Sequence, residues 1–216
     1  MPPVWEMLSE PWRACVEQAW EAYRAGSLPI GAVVADAEGR VLSAGRNRIH
    51  EGTGPPGTVF GRKLAHAELN SLLLLDGEEN LRGCVLYTTT EPCPLCVGAA
   101  RMADVGGLRY ASREPWAGSA AMFGTVPYLR RANLDLVGPE NERLEAILVV
   151  LLVDRYLGLK PKVLPSFVKL YEEIMPWASR MARDVHRSGL LRTMDADNVS
   201  AREMVLALSR QMSLPA

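Results

Sequence analysis

Apolar residues recur along the first part of the chain with the two periods that distinguish helices from strands. Residues 10–25 carry apolar side chains at helical spacing, and Gly26 favours an end to that helix. Two short apolar runs, residues 30–35 and 41–44, flank a turn at residues 36–39. This pattern predicts one helix followed by a β-hairpin.

The same alternation continues up to residue 157. A Gly- and Pro-rich loop over residues 46–63 precedes the remaining predicted elements, and a loop of that length in a compact domain is often functional. These elements are a helix at 64–75, a strand at 84–89, a helix at 92–103, short strands at 108–111 and 134–137, and a strongly apolar helix at 141–157. The order α-β-β-α-β-α-β-(β)-α predicts a three-layer α/β domain with helices on both faces of a mixed sheet.

The pattern changes after residue 159. A Pro-rich break is followed by an amphipathic stretch, residues 166–188, in which Pro176 is expected to kink or split the helix. Ser200 and Glu203 match a capping box, which predicts a short helix at 201–212. We therefore divide the chain into a domain at residues 1–159 and a helical C-terminal extension at residues 160–216.

Composition restricts the class of protein. With 48% hydrophobic and 23% charged residues, the 216-residue chain can bury a full core, which excludes global disorder. Its longest apolar run, residues 146–153, is far short of the roughly 20 residues needed to cross a bilayer. The N-terminus lacks the basic and apolar segments of a signal peptide. We expect no membrane association.

Charge argues against a broad nucleic-acid-binding surface, because the net charge is only −1. Residues 1–159 carry fifteen Lys and Arg against nineteen Asp and Glu, and residues 160–216 carry nine against six. The chain has four cysteines, and nothing in it suggests export. Reduced thiols and a cytoplasmic location are therefore expected.

One cluster of residues carries candidate chemistry. His66 and Glu68 open one predicted helix, and Cys93 and Cys96 lie three residues apart at the start of another, so the two sulfurs share a face. One imidazole and two thiolates suit zinc. Three protein ligands are typical of a catalytic zinc, which keeps a fourth position for water. Glu68 would then lie beside that water and move its proton.

The motifs LPIGAVVA, AGRNR, HAE and LYTTTEPCPLC together resemble the cytidine deaminase-like superfamily over about residues 10–158. The H-x-E and P-C-x-x-C elements are the stated signature of zinc deaminases. The resemblance implies a five-stranded mixed sheet, one zinc ion per subunit held by His66, Cys93 and Cys96, Glu68 as proton shuttle, and a homodimer. It is strongest to guanine deaminases and bacterial tRNA adenosine deaminases.

The resemblance also implies substrate contacts. Asn47 matches an asparagine that binds the ring, although its position after the hairpin is also that of an ordinary turn residue. The backbone near Glu91 would orient water and substrate. Trp116 is interpreted either as an aromatic that stacks on the ring or as a packing tryptophan. His50 is interpreted first as a loop histidine and second as a pocket residue.

Three functional hypotheses follow. The first is hydrolytic deamination of a free nucleobase, nucleoside or related amino-heterocycle; the second is a tRNA adenosine deaminase; the third is a non-catalytic, zinc-stabilised interaction module. The acidic deaminase portion, the partial match of REPWAGSAAMFG to the corresponding tRNA-enzyme segment and the long loop over residues 48–65 favour the first. An intact Glu68 argues against the third. Under the first hypothesis the expected partner is a small-molecule substrate, and nucleic acid is not expected. Under the second hypothesis the partner is tRNA.

Overall fold

Five strands form one mixed sheet in the computed structural model, which describes residues 3–77, 80–132 and 134–212. The spatial order of the strands is β2-β1-β3-β4-β5. β1 pairs antiparallel with both β2 and β3, whereas β3–β4 and β4–β5 are parallel. Their bounds are Gly31–Ala35 (β1), Val41–Arg46 (β2), Val85–Thr88 (β3), Gly107–Tyr110 (β4) and Asp135–Val137 (β5). The expected five-stranded mixed sheet is confirmed.

The helices account for most of the remaining described chain. Helices α2, α3, α4 and α6 correspond to those predicted, and the short α1, α5 and α9 were not predicted. Their bounds are Val4–Met7 (α1), Glu10–Arg24 (α2), Ala67–Leu73 (α3), Pro94–Met102 (α4), Pro127–Arg130 (α5), Glu142–Leu159 (α6), Leu164–Ile174 (α7), Pro176–Ser188 (α8), Leu190–Ala196 (α9) and Ala201–Gln211 (α10), with 3₁₀ turns at Leu81–Gly83 and Ala120–Gly124.

The sheet is covered on both faces. Every residue of β1 is buried, which is expected for a strand with helices on both sides. Ala32 and Val34 belong to a buried cluster with Ala67 of α3 and Ala100 of α4. Val33 points the other way and belongs to the cluster that contains α2 and α6. The three-layer α-β-α architecture is confirmed, with α3 and α4 on one face and α2 and α6 on the other.

Helices α3 and α4 begin later than predicted, and each is preceded by a candidate metal ligand. His66 is extended, with φ −79° and ψ 152°, and forms the N-cap of α3. Cys93 is the extended N-cap of α4, with φ −73° and ψ 172°. Pro94 explains this start, because a residue before proline avoids the helical region. Both candidate ligands therefore lie at helix N-termini.

The C-terminal extension packs on α6. Every residue from 144 to 154 is buried, so this part of α6 is covered on all sides, which fits its apolar run at residues 146–153. Phe167, Val185 and Leu208 of the extension belong to the same buried cluster as α2 and α6. The expected split at Pro176 is confirmed, because α7 ends at Ile174 and α8 begins at Pro176. The capping box of Ser200 and Glu203 is also confirmed.

A buried polar network joins the extension to the rest of the chain. The Tyr23 hydroxyl of α2 donates to Asp154 Oδ2 of α6 at 2.6 Å. His186 Nδ1 of α8 lies 2.9 Å from Asp154 Oδ1. Burial, reinforced by the hydrogen bond to Asp154, raises the pKa of Tyr23 far above its usual value, which keeps this hydroxyl a donor. One carboxylate thus connects three helices.

Two glycines allow helices to approach the sheet closely. A Cβ atom on Gly31 would lie 2.1 Å from the carbonyl oxygen of Cys15 in α2. A Cβ on Gly45 would lie 2.3 Å from the backbone nitrogen of Ser71 and 2.7 Å from the carbonyl oxygen of Ala67, both in α3. The backbones of α2 and α3 therefore occupy the space that side chains would fill.

Among the described helices, none combines the length and the apolar character needed to span a bilayer.

We predict that Gly45→Ala destabilises the protein by about 1–3 kcal/mol, because the added methyl group must push α3 away from β2. Urea unfolding measures the change. The matched control is Gly52→Ala, since a Cβ on Gly52 meets no atom within 4 Å. Equal stability of the two variants would show that α3 does not depend on this close approach.

We predict that Asp154→Ala costs about 1–3 kcal/mol of unfolding free energy, because it leaves the buried Tyr23 hydroxyl and His186 without their acceptor. The control is Asp195→Ala, which removes a half-exposed ion pair with Arg24 and should change stability by less than about 1 kcal/mol. A loss no larger than that of the control would mean that the network contributes nothing to holding the extension.

Candidate metal centre and active site

His66, Cys93 and Cys96 converge on one point. The distance from His66 Nδ1 to Cys93 Sγ is 3.5 Å and to Cys96 Sγ is 3.4 Å, and the two sulfurs are 3.6 Å apart. Ligands bound to a tetrahedral zinc at about 2.0–2.3 Å lie roughly 3.5–3.8 Å from one another. The triangle therefore has the size and the donor set of a zinc site that keeps a fourth position open.

The electrostatics of the two cysteines differ. The hydrogen bond between Cys93 and Cys96 is the largest influence that lowers the pKa of Cys93, to about 4, with a further contribution from His66. The same hydrogen bond and burial raise the pKa of Cys96. Hydrogen bonding to Cys93 also raises the pKa of His66. Cys93 is thus held as the thiolate, the form of cysteine that binds metals.

Glu68 lies in the first turn of α3, two residues after His66, and is buried. The Thr88 hydroxyl of β3 donates to Glu68 Oε1 at 3.0 Å, which orients the carboxylate. Burial raises the pKa of Glu68 above its usual value. A carboxyl group with a raised pKa beside a metal triangle is suited to taking up and returning a proton.

A small cavity of about 190 Å³ opens onto this cluster. Pockets for drug-sized ligands typically measure about 300–1,000 Å³, so this cavity fits a ligand of one or two fused rings. Its lining combines the metal-site residues, apolar side chains and carboxylates: Leu28, Ile30, His66, Glu68, Thr90, Glu91, Cys93, Glu114, Trp116, Ala117, Leu152, Tyr156 and Phe167.

Glu91 and Glu114 shape the loop at the mouth of the cavity. Glu91 accepts hydrogen bonds from the backbone N–H groups of Glu114 and Ala120, at 3.4 and 3.2 Å. Glu114 accepts from the backbone N–H groups of Trp116 and Ala117. Burial raises the pKa of Glu114, although these two hydrogen bonds act to lower it. The two carboxylates therefore hold the loop that carries Trp116.

The same loop is tied to α6. Glu145, which is buried, accepts three hydrogen bonds from Arg113: from its backbone N–H at 3.0 Å, from Nε at 2.7 Å and from Nη2 at 2.9 Å. Such a bidentate pair fixes geometry as well as charge. The loop is consequently part of the rigid framework around the cavity.

The substrate-contact residues expected from sequence divide into two groups. Glu91 and Trp116 line the cavity, and Trp116 is 49% exposed. Asn47 is buried beside it: its backbone N–H donates to the carbonyl of Ile30 at 2.9 Å, and its Oδ1 accepts from the backbone N–H of Ile49. His50 is exposed and is not among the described residues that line the cavity.

Comparisons with known proteins agree with this geometry. The family model "Cytidine and deoxycytidylate deaminase zinc-binding region" matches residues 6–112. A guanine deaminase of Bacillus subtilis is 31% identical over 120 residues, which cover 54% of this chain and 71% of that protein. The chain belongs to the cytidine deaminase-like superfamily.

Other relatives are longer or differ in what they act on. A tRNA(Ile)-lysidine synthase of Deinococcus radiodurans is 36% identical over 104 residues, which cover 47% of this chain but only 16% of the synthase. A solved structure from a study of A-to-I editing by tRNA:A34 deaminases has a TM-score of 0.50 and 28% identity, covering 59% of this chain and 89% of that one. Relatives within the superfamily therefore include proteins named for bases and for tRNA.

Several residues in and around the cavity carry no clear signal in the sequence of this superfamily member. Thr88 is the first of three threonines that precede Glu91 in the TTTEPC motif. The sequence does not show which of the three reaches Glu68. Glu114 stands two residues before Trp116, and its role depends on how the loop folds back. Tyr156 and Phe167 gave no signal, because they follow ordinary helical patterns beyond the family model, which ends at residue 112.

We predict that Cys93→Ala abolishes stoichiometric zinc binding, because two remaining ligands cannot hold the ion, and lowers stability, because metal binding contributes to folding. The measurement is zinc per chain by plasma mass spectrometry after dialysis. Cys15→Ala is the control, since Cys15 lies in α2 outside the triangle and should leave the zinc content unchanged. Full zinc content in Cys93→Ala would contradict the ligand assignment.

Proposed function

We propose that the chain catalyses zinc-dependent hydrolytic deamination of a free nucleobase, a nucleoside or a related amino-heterocycle, with release of ammonia. The observation that carries this proposal is the position of Glu68, which lies in the same cavity as the His66–Cys93–Cys96 triangle. A merely structural metal site has no need of a buried carboxylate facing the ligand space.

The triangle would hold the ion, and Glu68 would handle the protons. A zinc ion at this position supplies Lewis-acid activation of water. Glu68 would accept a proton from the attacking water as the C–O bond forms at the ring carbon, and would then pass that proton to the amino group, so that the C–N bond breaks and ammonia leaves. Thr88 would keep Glu68 Oε1 fixed during this exchange.

The rest of the cavity would bind the ring. Trp116 offers an aromatic face at the mouth, and Glu91 offers acceptor atoms at the same rim. We retain Asn47 as a proposed ring contact, because its backbone hydrogen bond to Ile30 places it next to a cavity residue. His50, which is exposed, has no part in the proposal.

A tRNA adenosine deaminase is the second candidate. It is supported by the relatives whose names refer to tRNA, which share 28–38% identity with the chain. Against it stands the lining of the cavity, where the described residues include three carboxylates and no lysine or arginine. Tight binding to RNA depends on cations that neutralise phosphates.

A homodimer and a cytoplasmic location are further parts of the proposal. Exposed apolar side chains at and around α3, namely Phe60, Leu64, Leu73 and Leu74, support a face that is covered by a second copy. The Sγ atoms of Cys93 and Cys96 are 3.6 Å apart, well beyond a disulfide bond, and reduced thiols are typical of the cytoplasm.

We predict that Glu68→Gln removes at least about 99% of ammonia release while zinc content stays unchanged, because general acid–base groups contribute roughly 10²–10⁴-fold. The assay offers guanine, cytosine, adenine, isocytosine, their nucleosides, pterins and an unmodified tRNA transcript to the zinc-loaded protein. Glu38→Gln, which alters an exposed turn, is the control and should retain activity.

The pattern of active compounds separates the hypotheses. Release from a base or nucleoside supports the proposed function and names the ring. Release from tRNA alone contradicts it in favour of the second candidate. No release from any compound, with zinc present, supports a non-catalytic zinc-stabilised module instead.

A further inference from the structure

The cavity has two halves that come from different parts of the chain. The half that carries the chemistry, with His66, Glu68 and Cys93, lies within the segment that the family model matches, residues 6–112. The opposite half lies entirely beyond residue 112 and consists of Glu114, Trp116, Ala117, Leu152, Tyr156 and Phe167. Features that select the substrate of this chain are therefore to be sought in the second half.

A stacked aromatic pair belongs to this second half. Tyr156 of α6 and Phe167 of α7 stack with their ring centroids 3.9 Å apart and their planes 22° from parallel. Phe167 is only 2% exposed, although it borders the cavity, because Tyr171 packs behind it at 5.0 Å between centroids. We call Tyr156 and Phe167 the aromatic wall.

The aromatic wall is fixed in place. Tyr171, one turn after Phe167 in α7, donates its hydroxyl to the carbonyl oxygen of Arg113 at 3.4 Å. Arg113 is itself held by the buried Glu145 of α6. The first helix of the extension, α6 and the loop at the cavity mouth therefore form one packed unit, and the wall cannot swing away as a lid without breaking these contacts.

The charge of the cavity restricts the ligand further. Glu68, Glu91 and Glu114 contribute carboxylates, and the described lining residues include no lysine or arginine. Zinc held by two thiolates and a neutral imidazole would carry no net charge, so the metal site would not supply the missing positive charge. A phosphate group in this cavity would lose its hydration and meet acidic oxygens without a cation to pair with, which disfavours its binding.

We propose that the aromatic wall determines substrate size, with Phe167 as the specificity-determining residue, and that it restricts the enzyme to a flat, unphosphorylated ring: a free base in preference to its nucleoside or nucleotide. This inference rests on the proposed deaminase function. Three observations support it together: the cavity volume of about 190 Å³, the fixed stack of Tyr156 on Phe167, and the carboxylates of the lining.

The test compares a base, its nucleoside and its nucleoside 5′-monophosphate, with the base taken from whichever ring releases ammonia. In the zinc-loaded full chain we expect kcat/KM to fall in that order. Phe167→Leu removes ring atoms from the wall and should raise the nucleoside-to-base ratio of kcat/KM by at least about tenfold, since one pocket group of this size is typically worth that much discrimination. The monophosphate should remain a poor substrate.

A neighbouring residue provides the matched control. Val168 lies on the same helix and is equally buried, but it is not among the described residues that line the cavity. Val168→Ala should lower stability without changing the nucleoside-to-base ratio. If Phe167→Leu does not fold, as judged by circular dichroism, Tyr156→Leu opens the same wall from α6 and should shift the ratio in the same direction.

Binding measurements separate this inference from the proposed function. Isothermal titration of the bases and nucleosides into zinc-loaded Glu68→Gln reports size selection without turnover. Suppose that the wild type releases ammonia from no compound, but that bases bind at least about tenfold more tightly than nucleosides. The proposed function then fails, and the role of the aromatic wall in size selection is supported. An unaltered ratio in the folded wall variants, equal use of base and nucleoside by the wild type, or no binding at all would overturn the inference.

Discussion

The close approach of α3 to β2 is the constraint on which the candidate site depends. At Gly45 the backbone of α3 occupies the space that a side chain would fill. This close contact fixes the distance between α3 and the sheet. His66 caps this helix and Glu68 lies in its first turn. Thr88, on a strand of the same sheet, then reaches Glu68. A glycine outside the candidate site thereby sets the distance between His66, Glu68 and the sheet.

The N-terminal ends of two helices meet at the metal triangle for a related reason. Cys93 follows β3 and precedes Pro94, which keeps the cysteine extended and starts α4 immediately afterwards. The backbone dipoles of α3 and α4 both point their positive ends towards the site, which favours thiolate and carboxylate groups there. Local rules of chain geometry thus assemble a cluster that the electrostatics of the helices stabilise.

Much of the site was predictable because its signals are local. The spacing of His66 to Glu68 and of Cys93 to Cys96 can be read from the sequence without knowing the fold, and the structure brings all four residues into one place. The start of α4 was predicted two residues too early, because Pro92 and Pro94 both suit a first turn and only the structure shows which one is used.

The outer half of the cavity was not predictable, because it depends on contacts between distant elements. Tyr156 and Phe167 become cavity residues only when α7 folds back on α6, and a helical pattern does not specify the partner of its apolar face. Glu145 likewise stands in a stretch that reads as an ordinary helix start, yet it holds Arg113 from a loop 32 residues away.

The burial of residues 144–154 of α6 has a consequence for the integrity of the protein. Its apolar stretch of residues 146–153 contacts the sheet on one side and the extension on the other. A cleavage after Leu159 that released the last four helices would uncover a broad apolar ridge and dismantle the wall around Phe167 at the same time. Such a fragment would retain His66, Glu68, Cys93 and Cys96 and yet be prone to self-association, so these four residues alone do not define the smallest stable unit.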